Sequence, residues 1–178
     1  MKRLVLAGFQ DSGRLHWQTI WAQGDPSYCK LAHDRWDAPD REAWVRDLEA
    51  AMPSMGPDTV IVAHSLGCLL TAFWAASGTS HRVKGAFLVA PPNPSRPDSS
   101  PAITGFRDPP RQPLPFPSLV IGSDDDPCAT QDFMAGLARD WGSRFVPVSG
   151  VKHIGTMSRV GRWPAGRALL EEFIAGLR

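Results

Sequence analysis

The sequence predicts an α/β fold built on one doubly wound, mostly parallel sheet of about six strands. Three observations carry this. Short apolar runs alternate with longer amphipathic ones. The short runs are almost continuously apolar, as strands covered on both faces are. The 178 residues suit a single domain, read as 1–178, because one domain normally takes ~100–200 residues.

In chain order, the strands are expected at Leu4–Ala7, Cys29–Ala32, Val60–Ala63, Phe87–Ala90, Leu119–Ile121 and Phe145–Val148. Most are bounded by turn residues. Helices are expected between them. Trp17–Ala22 is short. Arg41–Met52 sets Trp44, Val45, Leu48 and Met52 on one face and is expected to stop at Pro53. Leu66–Ala76 is mostly apolar and therefore central. Ala129–Trp141 places Phe133, Leu137 and Trp141 at i, i+4 and i+8. Pro164–Leu177 begins with a proline suited to a first turn. Between Pro91 and Pro117 lie ten of the chain's 17 prolines, which excludes a regular helix or central strand there. That segment reads as a rigid surface connection, as a wall over a binding site, or as both.

Composition excludes several classes of function. The formal net charge of +1, without a basic stripe or acidic tail, argues against nucleic-acid and membrane partners. No apolar run approaches the ~20 residues of a membrane helix. Cys29, Cys68 and Cys128 form neither a CxxC pair nor a metal-ligand spacing, so neither a metal nor another cofactor is expected. Sparse, odd-numbered cysteines favour reduced thiols and a cytoplasmic setting.

The chemistry-bearing segment is Val60-Ile61-Val62-Ala63-His64-Ser65-Leu66-Gly67-Cys68. It reads as a strand, a tight turn and a helix, and it matches G-x-S-x-G with Ala63 in the first glycine position. The turn of this motif presents a serine at the carboxyl end of a strand, in the strained backbone of an α/β-hydrolase nucleophile elbow. Small residues on both sides are needed where neighbouring backbone comes close. The competing reading of Ser65 is a helix N-cap.

A serine hydroxyl needs a neighbouring base. In this fold the order is Ser…Asp/Glu…His. Of the five histidines, only His81 and His153 follow Ser65. His81 lies in a polar turn, whereas His153 follows the last strand, where open α/β sheets bind ligands. His153 is therefore the candidate base. His64 is assigned a packing or hydrogen-bonding role, His33 a structural one, and His16 a structural one with the option of lining the pocket. The acid must orient the imidazole, and it falls in Asp124-Asp125-Asp126-Pro127. The spacing does not choose among the three aspartates, and Asp126 also reads as a cap for the next helix. An oxyanion needs about two backbone donors. Leu66 N–H is one. Phe9 N–H is the first choice for the other and Gln10 N–H the second. The glycines at 8 and 13 lack the Lys-Ser/Thr of a phosphate loop. Cys68 reads as a buried structural thiol, and Cys128 has no histidine beside it in sequence. The seven tryptophans read as core, with Trp163 a candidate for the pocket border alongside Gln10 and His16.

These residues together resemble the small serine hydrolases related to retinoblastoma-binding protein 9, in particular their bacterial members. The marks are Gly8 with His16-Trp17; Pro39-Asp40 with Trp44; Ala63-His64-Ser65-Leu66-Gly67; Ser123-Asp124-Asp125-Asp126-Pro127; Trp141-Gly142-Ser143; and His153-Ile154 with Ser158, Gly161, Trp163-Pro164 and Gly166. The resemblance spans nearly the whole chain. It implies a compact α/β-hydrolase core with no large cap domain and a Ser-Asp-His triad whose acid directly precedes proline, which selects Asp126. Two positions depart from the pattern: Lys152 stands where glycine is expected before the base, and Gly155 where asparagine is expected after it. The L-x-C-x-E element that names the animal relative is not reproduced, since Leu66-Gly67-Cys68-Leu69-Leu70 lacks the glutamate. The expectation is a hydrolase of a small-molecule acyl ester, thioester or amide. A non-catalytic binding module on the same fold is the alternative, because fold alone does not guarantee activity.

Overall fold

The computed structural model describes residues 1–177. Six strands form one all-parallel sheet: β1 (Lys2–Leu6), β2 (Tyr28–Lys30), β3 (Thr59–His64), β4 (Gly85–Val89), β5 (Ser118–Ser123) and β6 (Arg144–Val148). Their spatial order is β2-β1-β3-β4-β5-β6. The order reverses between β1 and β3, which makes the gap between their carboxyl ends the topological switch point of the sheet.

Five helices cover the sheet: α1 (Trp17–Ala22), α2 (Arg41–Met55), α3 (Leu66–Ala76), α4 (Gln131–Trp141) and α5 (Pro164–Gly176). Alternate strand residues face opposite layers. Ile61, Ala63 and Leu88 join Trp44, Leu48, Trp74 and Leu137 from α2, α3 and α4 in one core. Val60, Val62, Phe87 and Val89 join Trp17, Trp21 and Leu170 from α1 and α5 in the other. β3, β4 and β5 are buried throughout, as the apolar runs along their centres require. β6 is half-exposed and carries Pro147, which is tolerated because an edge strand has one unpaired side.

The sheet also needs polar repair where β1 and β3 part. The buried Gln18 side chain donates from Nε2 to the carbonyls of Leu6 and Val62, both at 3.0 Å, and bridges the two strands at the switch point. Among the described residues, no helix is long and apolar enough to cross a membrane, and all three cysteines are free thiols.

Three local expectations are corrected. α2 does not stop at Pro53 but runs through it to Met55, where the Gly56 amide closes the last turn on Met52. Proline removes one bond there without forbidding the helical φ. β2 covers Tyr28–Lys30 rather than reaching Ala32, because β1 has already run out beyond the Leu31–Val5 bond. α4 begins at Gln131, capped by Thr130 Oγ1 on the Phe133 amide, and not at Ala129. The proline-rich segment contains only one short 3-10 helix, Pro101–Phe106. It is pinned by Trp141, whose indole donates to the Pro110 carbonyl (2.8 Å) and whose carbonyl accepts from the Leu114 amide (3.0 Å).

Candidate active site

Ser65 occupies the turn between β3 and α3 with φ 53° and ψ −123°. This is a left-handed, strained conformation that costs about 1–3 kcal/mol. Its surroundings hold it there. The Ser65 amide donates to the Val89 carbonyl and its own carbonyl accepts from the Cys68 amide, both at 2.9 Å. The hydroxyl makes no capping bond to α3, so the N-cap reading does not hold. The flanking small residues have specific causes. A Cβ on Gly67 would lie 2.4 Å from the Leu6 carbonyl oxygen, where α3 crosses β1. A Cβ on Gly8 would lie 2.7 Å from Ser65 Cβ. Ala63 is fully buried and fits as it stands.

His153 and Asp126 meet Ser65 at the carboxyl edge of the sheet. His153 Nε2 lies 2.8 Å from Ser65 Oγ. Its Nδ1 lies 3.0 and 2.9 Å from the two oxygens of Asp126, whose side chain is completely buried. A carboxylate only accepts, so Nδ1 carries the proton and Nε2 is left to accept from the hydroxyl. Burial of His153 favours its neutral form. The hydrogen bond and charge of Asp126, with the neighbouring Cys128, outweigh that and raise its pKa above the ordinary 6.5.

The three consecutive aspartates divide the work. Asp126 faces the imidazole, and its Oδ1 also accepts from the Cys128 amide at 2.7 Å. It therefore closes a turn and does not cap α4. Asp124 accepts from the Gly150 amide at 3.0 Å, and Asp125 accepts from the Lys152 amide at 2.7 Å and the Ser123 hydroxyl at 2.7 Å. Ser123 Oγ in turn accepts from the Val151 amide at 3.2 Å. Three successive amides of the His153 loop are thus tied to the end of β5. The next two carbonyls are gripped from the other side, that of His153 by His64 Nε2 (2.8 Å) and that of Ile154 by the Trp17 indole (2.8 Å). Burial keeps His64 neutral, so Nε2 carries its donated proton. Both neighbours of His153 adopt left-handed backbone, Lys152 at φ 49° and Ile154 at φ 50°. The glycine expected at 152 is therefore replaced by a residue held in a glycine-like conformation. Gly155 is extended (φ −114°), and a Cβ there would meet His64 and His16 only at ordinary contact distance, so its lack of a side chain is not sterically required.

A cleft of about 530 Å3 opens over Ser65 and His153, within the ~300–1,000 Å3 range of small-molecule sites. The proline-rich segment forms one wall through Pro92, Arg96, Ser99 and Ile103. His16 and Gln10 also line the cleft. Burial and the positive charge of Lys30 lower His16 to about 4, and its Nδ1 accepts from the Gln18 amide at the start of α1. Gln10 is excluded as an oxyanion donor because its amide is spent on the Trp36 carbonyl at 3.0 Å. The amides of Phe9 and Leu66 have no protein partner among the described residues, and both residues line the cleft beside Ser65. Trp163 is corrected from the pocket border to the core. It is buried, it stacks on Trp21 (5.9 Å) and leans on Trp17 (5.2 Å), and its ring packs so closely on Gly166 that no Cβ fits there. His33 is structural, stacked on Trp44 at 4.1 Å and bonded to Asp47. His81 is partly exposed beside Glu49.

One site residue escaped sequence reasoning. Cys128 lines the cleft, and its sulfur, an Asp126 oxygen and a His153 nitrogen all lie within 4.8 Å of one another. No local motif signals this, since the histidine is supplied by a different strand end. Cys68 is fully buried, donates to the Val89 carbonyl, and has its thiol pKa pushed up by burial.

Residues 3–172 match the protein family described as serine hydrolase. Among solved structures, a protein described as a YdeN-like hydrolase from Pectobacterium atrosepticum is similar at 25% identity. Its TM-score is 0.87, over 99% of this chain and 91% of that one. The ydeN product of Bacillus subtilis is similar in fold (19% identity, TM-score 0.79, 98% of this chain and all of that one). So is a thermophilic esterase from Thermogutta terrifontis (15% identity, TM-score 0.71, 100% and 91%). No curated protein matches the chain.

Proposed function

The chain belongs to the serine hydrolase family, and from that premise we propose that it cleaves a small ester, thioester or amide through an acyl-enzyme on Ser65, in the manner of a carboxylesterase. One observation carries the reading: the continuous path Ser65 Oγ to His153 Nε2 (2.8 Å) and His153 Nδ1 to Asp126 (2.9 and 3.0 Å).

In this reading Ser65 attacks the acyl carbonyl while His153 takes the hydroxyl proton. Asp126 keeps the ring in the required tautomer and stabilises the imidazolium. The free amides of Phe9 and Leu66 receive the oxyanion; each such donor is worth ~10²–10³ in turnover. His153 then protonates the leaving group, water adds to the acyl carbon with His153 again as base, and Ser65 is regenerated. These steps call for no metal or organic cofactor. The cleft, walled by the proline-rich segment and lacking a large cap, suits small or extended acyl groups. The resemblance to relatives of retinoblastoma-binding protein 9 is part of this proposal and agrees with the same triad. The rival reading, a binding module with no catalysis, would be favoured by a base out of reach of the serine, and the 2.8 Å contact speaks against it.

Labelling with a fluorophosphonate probe tests the nucleophile. Wild-type protein should label at Ser65, and Ser65→Ala should not. A panel of p-nitrophenyl esters of rising chain length, with aminoacyl amides beside them, then defines the acyl preference. Absence of labelling in the folded wild-type protein would remove the reading.

A further inference from the structure

We propose that Asp126, Cys128 and His153 form a binding site for a thiophilic divalent cation of the Zn2+ type, and that its occupancy switches the triad off. The chain offers no metal-ligand spacing in sequence, but the fold creates one. A carboxylate oxygen, a thiol sulfur and an imidazole nitrogen lie within 4.8 Å of one another. Carboxylate, thiolate and imidazole are the three ligand types zinc takes, at ~2.0–2.3 Å in tetrahedral geometry. Ligands around one such ion sit roughly 3.3–3.8 Å apart, so the Cys128 sulfur needs to close by no more than about 1.5 Å, the scale of a rotamer adjustment, while the Asp126–His153 pair, now 2.9–3.0 Å apart, opens by roughly 0.5 Å to admit the ion. Access is provided by the cleft, which Cys128 and His153 both line. Water can fill the fourth position. Asp126, buried at the base of the site, already faces His153 Nδ1 and the backbone amide of Cys128.

The consequence follows from the tautomer. The ring nitrogen facing Asp126 is Nδ1, at 2.9 Å. An ion held there forms bonds to Nδ1, to sulfur and to the carboxylate. The thiol proton leaves to solvent, and the ring proton moves from Nδ1 to Nε2. With Nε2 protonated, His153 cannot accept from the Ser65 hydroxyl, 2.8 Å away. The binding half of the inference stands on geometry alone; the inhibitory half rests on the function proposed above.

The test separates the two. Co2+, titrated into the wild-type protein, should give one equivalent of a tetrahedral spectrum with thiolate charge transfer that Zn2+ bleaches. Both Cys128→Ser and Cys128→Ala should lose the charge-transfer band. Loss of a metal's outer-shell partner already costs ~10–100-fold in affinity, so loss of this ligand should raise the zinc Kd by at least about tenfold. Ester hydrolysis, expressed for each protein relative to its own metal-free rate, should be inhibited by Zn2+ at correspondingly higher concentration in the variants. A wild-type protein with no thiolate–cobalt band, or variants that bind Zn2+ as tightly as wild type, would overturn the site. A cobalt band in a protein that hydrolyses nothing would keep the site and remove the function. Two conservative variants guard against misfolding of either one.

Discussion

His64, the residue before the proposed nucleophile, donates from Nε2 to the backbone carbonyl of His153, the proposed base, at 2.8 Å. The two ends of the proton path are therefore fixed to each other by main chain as well as by side chain. His64 is buried, and burial with two neighbouring histidines keeps it neutral, so it acts as a positioning residue and not as a second base. A hydrogen bond of this kind is worth about 0.5–1.5 kcal/mol. His64→Ala should lower kcat by up to about tenfold with little change in KM. His64→Gln, which returns an N–H donor at similar reach, should recover most of it. Equal loss in both variants would mark the effect as packing alone.

Asp126 and its two neighbours should separate cleanly. Asp126→Asn leaves the shape but favours the wrong tautomer, a change that costs ~10⁴ in kcat where a triad operates. Asp124→Asn and Asp125→Asn weaken the ties to Gly150, Lys152 and the Ser123 hydroxyl and leave the imidazole's partner in place, so they should lower thermal stability and cost far less activity. Steady-state kinetics on the three single variants decides it. If Asp125→Asn proved the most damaging, the acid would be misassigned.

The pH dependence has a definite sign. Burial of His153 lowers its pKa, and Asp126 together with Cys128 raises it by more. The base works only when neutral, so activity should rise with pH through a midpoint above the ordinary imidazole value of 6.5. Removing the Asp126 charge takes away the largest influence that opposes burial, so the residual activity of Asp126→Asn should have its acid limb at lower pH. A pH profile of kcat/KM checks both.

The parts of this site that reside in local sequence were legible, and the parts that depend on tertiary approach were not. β3, β4 and β5 are apolar along their centres because both faces are covered, and the run in β3 that leads into Ala63-His64-Ser65-Leu66-Gly67 exposes the elbow. The order of elements likewise brings Ser65 and the end of β6 to one edge. The choice among three aspartates was not local. It depends on which carboxylate turns inward, and the other two meet instead the amides of a loop some 26 residues on. The exclusion of Gln10 depends on the Trp36 carbonyl, Trp163 belongs to a cluster with α1, and Cys128 meets its histidine only after β6 has paired with β5.

Lys152 is a place where the chain can be improved. Its φ of 49° lies in the left-handed region, which costs an L-residue with a Cβ roughly 1–2 kcal/mol. Its side chain is exposed and its amide bond to Asp125 needs no side chain. Lys152→Gly removes the strain but adds ~0.5–1 kcal/mol of unfolded-chain entropy. The net gain should be under about 1 kcal/mol, or roughly 2–4 °C in Tm at most for a chain of this size. Lys152→Ala keeps the Cβ and should give no gain. A calorimetric comparison of the two variants discriminates strain from charge, because both remove the lysine.

Gly8 and Gly67 test whether the close approaches serve the reaction or only the fold. A Cβ on Gly67 would sit 2.4 Å from the Leu6 carbonyl oxygen, within the packing of α3 on β1. Backbone cannot yield there without separating a buried helix from the sheet, so Gly67→Ala should destabilise the whole domain by several degrees or prevent folding. At Gly8 the obstruction is Ser65 itself, with Cβ at 2.7 Å and Oγ at 3.2 Å. Gly8 is buried in the connection between β1 and α1, where it lines the cleft and lies outside the packing of helix on sheet. Gly8→Ala should therefore leave the protein folded, displace the Phe9 amide from the serine, and reduce kcat by about 10²–10³, the value of one oxyanion donor. Thermal denaturation and esterase kinetics on the two variants give the contrast. A Gly8→Ala protein with near-wild-type turnover would show that the Phe9 amide does not serve the oxyanion, and the second donor would then have to come from elsewhere on the rim.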